Sequence, residues 1–190
     1  TRGIRADLSQ AMESRDAELG SLTAEGGLTV GRATGGEIQV KGVTDGSSDS
    51  VGTITLIATQ DATAVSFLSA ASAFNKGIVV QAMGGVVLSE SVTTKNLPTV
   101  IFAGTGTLKI IGGGLADRSL ITTNQALTIT ADDIDFQGDA VSSGTGAMVL
   151  MPATSTKTIG LGTTSNNVDI EAAELQVVST STGLTVGAVA

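Results

Sequence analysis

"ALTITADDIDFQGD", Ala126 to Asp139, is the stretch on which the reading of the fold turns. In its second half Ile134 and Phe136 occupy alternate positions, and Asp133 and Asp135 fill the positions between and before them. A β-strand sends successive side chains to opposite faces, so the two apolar residues point inward together while the acids face solvent. Its first half, rich in Leu, Ile and Thr, reads as another short strand, and Gly138 and Asp139 supply a turn.

The same grammar extends outward along the chain. From Gly26 onward, runs such as "EIQVKG", "GTITLIA", "GIVVQAM", "GGVVLSE", "TVIFAG", "GTLKIIGGG", "GAMVLMPA" and "ELQVVS" are separated by Gly, Asn, Asp, Ser and Thr. Ile38 with Val40, and Ile54 with Leu56, repeat the alternate spacing. Strands this short and frequent fit a sandwich, a barrel or a solenoid. The solenoid is favoured because the apolar residues are small and aliphatic, as stacking of like rungs requires. Thr-x-Thr or a related step also recurs at Thr53, Thr105, Thr128, Thr154 and Thr180, at intervals of 52, 23, 26 and 26 residues. A coil of roughly two dozen residues follows. Val79, Ile101, Ile110, Ile129, Val149 and Val177 are the expected dry interior.

A longer repetition overlies the short one. "AELGSLTAEGGLTVG", Ala17 to Gly31, and "AELQVVSTSTGLTVG", Ala173 to Gly187, agree without gaps at eight of fifteen positions. Ala17 matches Ala173 and Gly27 matches Gly183, a constant offset of 156 residues. Residues 1–25 are therefore read as the end of a preceding repeat carrying a short helix or turn. Residues 26–190 are read as solenoid coils, with the repeat of about 156 residues recurring at 173–187. A helix signal lies in "DLSQAMESRDAELG", where Asp7 is a candidate N-cap, Gln10 stands three residues on and Gly20 is a candidate stop. Because the echo aligns its last part with strand-like text around Ile170 to Gln176, a short helical turn is expected at each copy. "TRGIRADLSQ" has neither an initiator Met nor the apolar core of a signal peptide, and reads as the cut edge of something longer.

Composition removes several function classes. The net charge of −8 opposes nucleic-acid binding and attraction to anionic membranes. No apolar stretch approaches the ~20 residues of a membrane helix. With no His and no Cys, the chain lacks the parts for Ser–His or Cys–His catalysis and for the common zinc sites. There is no Trp or Tyr and only four Phe, so an aromatic sugar platform of the kind carbohydrate-active solenoids use is missing, and a non-enzyme is expected. None of Asn75, Asn96, Asn124, Asn166 or Asn167 begins a glycosylation sequon.

The segment "ALTITADDIDFQGDAVSSGTGAMVLMPATSTKTIGLG", followed by "DIEAAELQVVSTSTGLTVG" up to Gly187, resembles the repeat region of filamentous-haemagglutinin-type exoproteins. "RDAELGSLTAEGGLTVGRATGGEIQVKGV", Arg15 to Val43, is similar to the coil that follows in such arrays. Together these segments cover about half of the chain. The resemblance implies an all-β, right-handed parallel β-helix within a large secreted surface protein, extracellular or at the cell surface, serving as an adhesin or stalk. The Asn-Pro-rich secretion domain of that family has no counterpart here, so neither export route nor receptor is carried over.

Three local features invite chemistry. The acid patch offers Asp133, Asp135 and Asp139 as candidate calcium ligands, although the twelfth position of a calcium loop begun at Asp133 is Gly144 rather than Glu. A solvated outer strand face accounts for the same acids. "GTGTLK", Gly104 to Lys109, and "GGG", Gly112 to Gly114, lack the Gly-Lys-Ser/Thr ending of a phosphate loop and read as corner glycines. Stacked threonines present an ice-binding alternative. The leading expectation is structural: a solenoid segment whose neighbours are further repeats or identical subunits end to end. A glycan- or protein-binding adhesin module and a polysaccharide-acting enzyme are the other readings.

Overall fold

The computed structural model describes residues 15–113, 118–162 and 167–187. In chain order it runs from α1 (Asp16–Leu19) through β1 (Leu28–Gly31), β2 (Ile38–Val40), a 3-10 turn (Gly46–Ser48), β3 (Ile54–Ala58), β4 (Val65–Phe67), β5 (Ser72–Phe74) and β6 (Ile78–Ala82). Next come β7 (Val86–Leu88), β8 (Val92–Thr94), β9 (Thr99–Phe102), β10 (Thr107–Ile110), β11 (Ser119–Thr122), β12 (Leu127–Thr130) and β13 (Asp133–Phe136). The last elements are β14 (Ala140–Gly144), β15 (Met148–Met151), β16 (Ile159–Leu161), β17 (Val168–Ile170), α2 (Ala172–Gln176), β18 (Val178–Thr180) and β19 (Leu184–Val186).

Among the described residues every ladder is parallel, and all but the short β16-β17 pair join a strand to the one a coil later. They form a seven-stranded sheet, β1-β3-β6-β9-β12-β15-β19, two five-stranded sheets, β2-β4-β7-β10-β13 and β5-β8-β11-β14-β18, and the small pair β16-β17. This is a parallel β-solenoid, as the spacing of short apolar runs predicts. Register is unbroken in the first two sheets and shifts once in the third, between Ser142 and Gly144 where β14 meets β18. Val30, Leu56, Val80, Ile101, Ile129, Leu150 and Val186 form one inward column. Val40, Phe67, Leu88, Ile110 and Phe136 form another on the second sheet. Stacked aliphatics fill most of the narrow interior, with Phe67, Phe74 and Phe136 as its aromatic members, and each fully buried aliphatic side chain contributes about 1.5–3 kcal/mol. Phe67 and Phe74 meet edge to face with ring centroids 6.4 Å apart.

The coils differ in length chiefly between the strands of the largest sheet. Leu127 to Met148 is one step of 21 residues, whereas Met148 to Leu184 takes 36 and contains β16, β17 and α2. Corner glycines behave as expected: Gly104 has φ +59°, and a side chain there would strike the Met83 backbone of the coil below. Gly114 lies outside the described residues.

Two expectations are corrected. Val79 and Val149 lie on the outer face, half-buried, while Ile78, Val80, Met148 and Leu150 point inward. In the wholly apolar β15 nothing local sets which alternate set faces in, and register against β12, where Met148 meets Leu127, does so; in β6 Gln81 shares the outer face with Val79, and register against β3, where Val79 meets Thr55, agrees. The recurring threonines also do not form one stack. Thr53 precedes β3, Thr105 and Thr154 sit between strands, Thr180 is in β18, and only Thr128 lies in the outer column of the seven-stranded sheet.

Candidate functional site at the two ends of the solenoid

The two echoing segments become a matched pair of end pieces. Each opens with a helical turn closed in the same way: the Glu18 carboxylate accepts a hydrogen bond from Arg15 N at 2.8 Å, and Glu174 accepts one from Glu171 N at 2.8 Å. Glu at the third helical position reaching back to the N-cap amide is half of a capping box. Gly20 ends the first turn, as expected; Asp7 lies outside the described residues. After each turn the chain reaches the "GLTVG" strand, β1 in one case and β19 in the other. These are the opposite edges of the seven-stranded sheet.

They are also in register. Leu28 stands opposite Ile54 and Ile54 opposite Ile78; from Thr99 the column runs on through Leu127 and Met148 to Leu184. Val79 stands opposite Val100, which places Thr99 after Ile78 in the same column. Six ladder steps thus carry Leu28 onto its echo, Leu184. The 156-residue offset is a whole number of coils.

Both ends carry half-buried apolar side chains. Leu28, Val30, Leu184 and Val186 are all half-buried, whereas Leu56 and Val80 in mid-column are 3 % and 0 % exposed. At the C-terminal end a recess lined by Leu150, Met151, Ile159, Ile170 and Val186, among others, opens on the interior, with apolar side chains throughout its lining.

The helical turns are tied down differently. Asp16 accepts hydrogen bonds from Thr44 N at 2.8 Å, from Thr44 Oγ1 at 2.9 Å and from Ser47 Oγ, which fastens α1 to the next coil. Burial alone would raise its pKa, but these three hydrogen bonds outweigh it and hold the carboxyl below its ordinary value. The equivalent residue at the other end is Ala172. There the buried Glu174 makes the attachment, accepting from Phe136 N at 3.3 Å on the edge of β13. Burial raises its pKa, with the charges of Asp133 and Glu171 adding to the rise and its two backbone hydrogen bonds opposing it.

Asp133 and Asp135 share the outer face of β13, as expected. Asp135 pairs with Lys109 at 2.6 Å, Asp133 accepts from Thr107 Oγ1 at 3.4 Å, and Asp139 lies beyond the strand, its amide bonded to Arg118 O at 3.0 Å. Among the described residues no three acidic side chains gather into a metal-holding group. Neighbouring Asp132 is buried at 5 % exposure and receives Thr154 N at 2.7 Å and Thr154 Oγ1 at 2.6 Å, which ties the long last coil to the one before.

One feature has no visible signal in the sequence. At the corner leading into the seven-stranded sheet, Thr122 Oγ1 and Ser143 Oγ each donate to the carbonyl three residues on, Gln125 O and Gly146 O, at 2.6 Å, while Thr94 and Thr99 share a hydroxyl–hydroxyl bond of 2.7 Å. Outside this hydroxyl row, Asn96 Nδ2 donates to Asn75 O at 2.8 Å and Asn124 Oδ1 accepts from Thr145 N at 3.1 Å. Asn96 and Asn124 hold φ +58° and +57°, a left-handed conformation Asn tolerates well. The hydroxyls thus close the corner within each coil, and the asparagines tie one coil to the next.

Among the described residues no helix is long and apolar enough to cross a membrane. No known family model, curated protein or solved structure matches the chain.

Proposed function

We propose that this chain is a structural segment of an extended solenoid, the shaft of a secreted surface filament, stalk or adhesin, in which coils continue past each echo into a further repeat. The observation that carries the reading is that "GLTVG" at Leu28 and at Leu184 occupies the same ladder position at opposite edges of one sheet, each preceded by a Glu-capped helical turn. A chance likeness between coils has no reason to fall on a whole number of rungs. The role is mechanical and needs no active site: parallel ladders add stability coil by coil through nearest-neighbour contacts. Placement at the cell surface follows the resemblance of Ala126 to Gly187 to surface exoprotein repeats.

The test extends the chain by following Gly187 with a second copy of residues 32–187, the continuation the echo implies. Small-angle scattering and cryo-electron microscopy are expected to give one straight rod longer by about 29 Å, six rungs at roughly 4.8 Å. Two beads joined by a flexible segment, each melting as the single unit does, would sink the proposal.

A further inference from the structure

If the coils continue past Gly187 as they do past Gly31, the next strand needs a seat at the edge of the second sheet, and that seat is filled. β2 follows β1 on the same rung, and a Cβ built on Gly31, whose φ is +91°, would lie 2.8 Å from Ile38 Cδ1. A Cβ built on Gly187, whose φ is +104°, would lie 3.6 Å from Ile159 Cδ1 instead. Ile159 belongs to β16, which precedes β19 in the chain rather than following it. The strand order agrees. β17 packs beside β13, and β16 pairs with β17 without a comparable contact to β13. So β16 stands two places out from β13, as β19 stands two places out from β12.

β16 fits this place poorly. It and β17 form a two-stranded sheet, held to β13 by packing and not by a ladder. Such a pair is marginal by itself, and Gly160 at the centre of β16 offers no side chain to pack. With Ile159 matched to Ile38, Leu161 matches Val40. Leu161 is 57 % exposed, whereas Val40 is 8 % exposed on the terminal rung at the other end.

We infer that the edge of β17 beside Gly187 is a strand-binding site, that its ligand is the segment 32–43 of the next repeat, and that β16 is a self-supplied stand-in capping the end. The inference rests on the reading of the echo as a point of continuation. Chemistry selects the occupant. The recess is lined by Ile129, Leu150, Ile170 and Val186 among others, so an entering strand must bring aliphatic side chains at alternate positions while its main chain pairs with the edge. Residues 32–43, "RATGGEIQVKGV", offer Ile38 and Val40 at that spacing, with Gln39 exposed between them. The echo places their counterpart directly after the strand it must follow. A solenoid's last coil needs covering, which β16 does for the coil that ends in β19.

Because β16 is tethered, it competes at an effective concentration on the order of 1 mM, and a free strand binds the unaltered chain weakly. The test titrates a fluorescein-labelled peptide of residues 32–43 with the full chain and reads anisotropy. Ile159→Asp weakens the stand-in by setting a carboxylate against the apolar recess, and Ile159→Ala weakens it by truncation where the first variant loses its circular dichroism. The expected result is weak binding to wild type, binding at least about tenfold tighter to the folded Ile159 variant, and loss of binding for a peptide carrying Ile38→Asp. Equal affinity for wild type and variant, equal affinity of the two peptides, or no binding up to about 1 mM chain would overturn the inference. The extended rod is read separately. A rod that lengthens with no peptide bound keeps the shaft and sinks the strand site, and two beads with peptide bound do the reverse.

Discussion

Ile101→Ala and Val100→Ala compare adjacent residues of β9 that differ in the face they present. Ile101 is 1 % exposed and lies in the inward column between Val80 and Ile129. Truncation to Ala removes three carbons, about 2.5 kcal/mol of transfer free energy at ~0.8 kcal/mol each. The void left between two stacked aliphatics adds about 1–2 kcal/mol, because the ladders above and below hold the backbone in place. A loss of about 4 kcal/mol is expected, which for a chain of this size lowers Tm by about 8–16 °C. Val100 faces outward and is half-buried, so removing two carbons costs about 1 kcal/mol or less. The assay is thermal and urea unfolding followed by far-ultraviolet circular dichroism, since there is no Trp or Tyr to report by fluorescence. If Val100→Ala cost as much as Ile101→Ala, the phase of the strand would be inverted and the columns described above would be wrong.

The remaining expectations concern corners and end pieces. Gly77→Ala puts a methyl into the Pro98 carbonyl, and neither backbone can yield, so a loss above about 2 kcal/mol is expected; Gly36→Ala meets nothing and changes stability by less than about 1 kcal/mol, both read from Tm. Asp16 has a lowered folded pKa, so the stability it contributes is present above its ordinary value of 3.8 and is lost as pH falls through the lowered one. The protection factor of Thr44 N, its exchange rate relative to an unstructured amide at the same pH, should therefore fall on acidification, and Asp16→Asn should remove that dependence. Glu174 has the opposite sign: its folded pKa is raised, so its contribution increases as pH falls through the raised value toward 4.5. The difference in Tm between wild type and Glu174→Gln should show that rise; a flat difference across the window refutes the assignment.

How much of this was legible in the chain depends on what sets each feature. Short strands show up as apolar runs between turn formers, and where polar residues alternate with apolar ones, as at Asp133 to Phe136, the inward face is legible too. In "GAMVLMPA" every candidate is apolar, so the phase of Val149 is decided by a partner strand 21 residues away, whereas in "GIVVQAM" Gln81 marks the outward set to which Val79 belongs. The helical turns were legible through the echo, which corrected the longer helix that Asp7 to Gly20 alone would imply. The hydroxyl and asparagine corner was not: its members are related by ladder register across coils of unequal length, and no fixed spacing marks them. Nor does sequence distinguish Asp132, buried and bonded to Thr154, from the exposed Asp133 beside it.

A whole number of coils per echo has a consequence for inheritance as much as for mechanics. Recombination between the two "GLTVG" segments would add or remove six complete turns and no fraction of one. Any ladder on the outside, whether of acids or asparagines, would stay on the same sheet of the coil after such an event. Length could then drift between generations in steps of about 29 Å without moving any ladder to a different sheet.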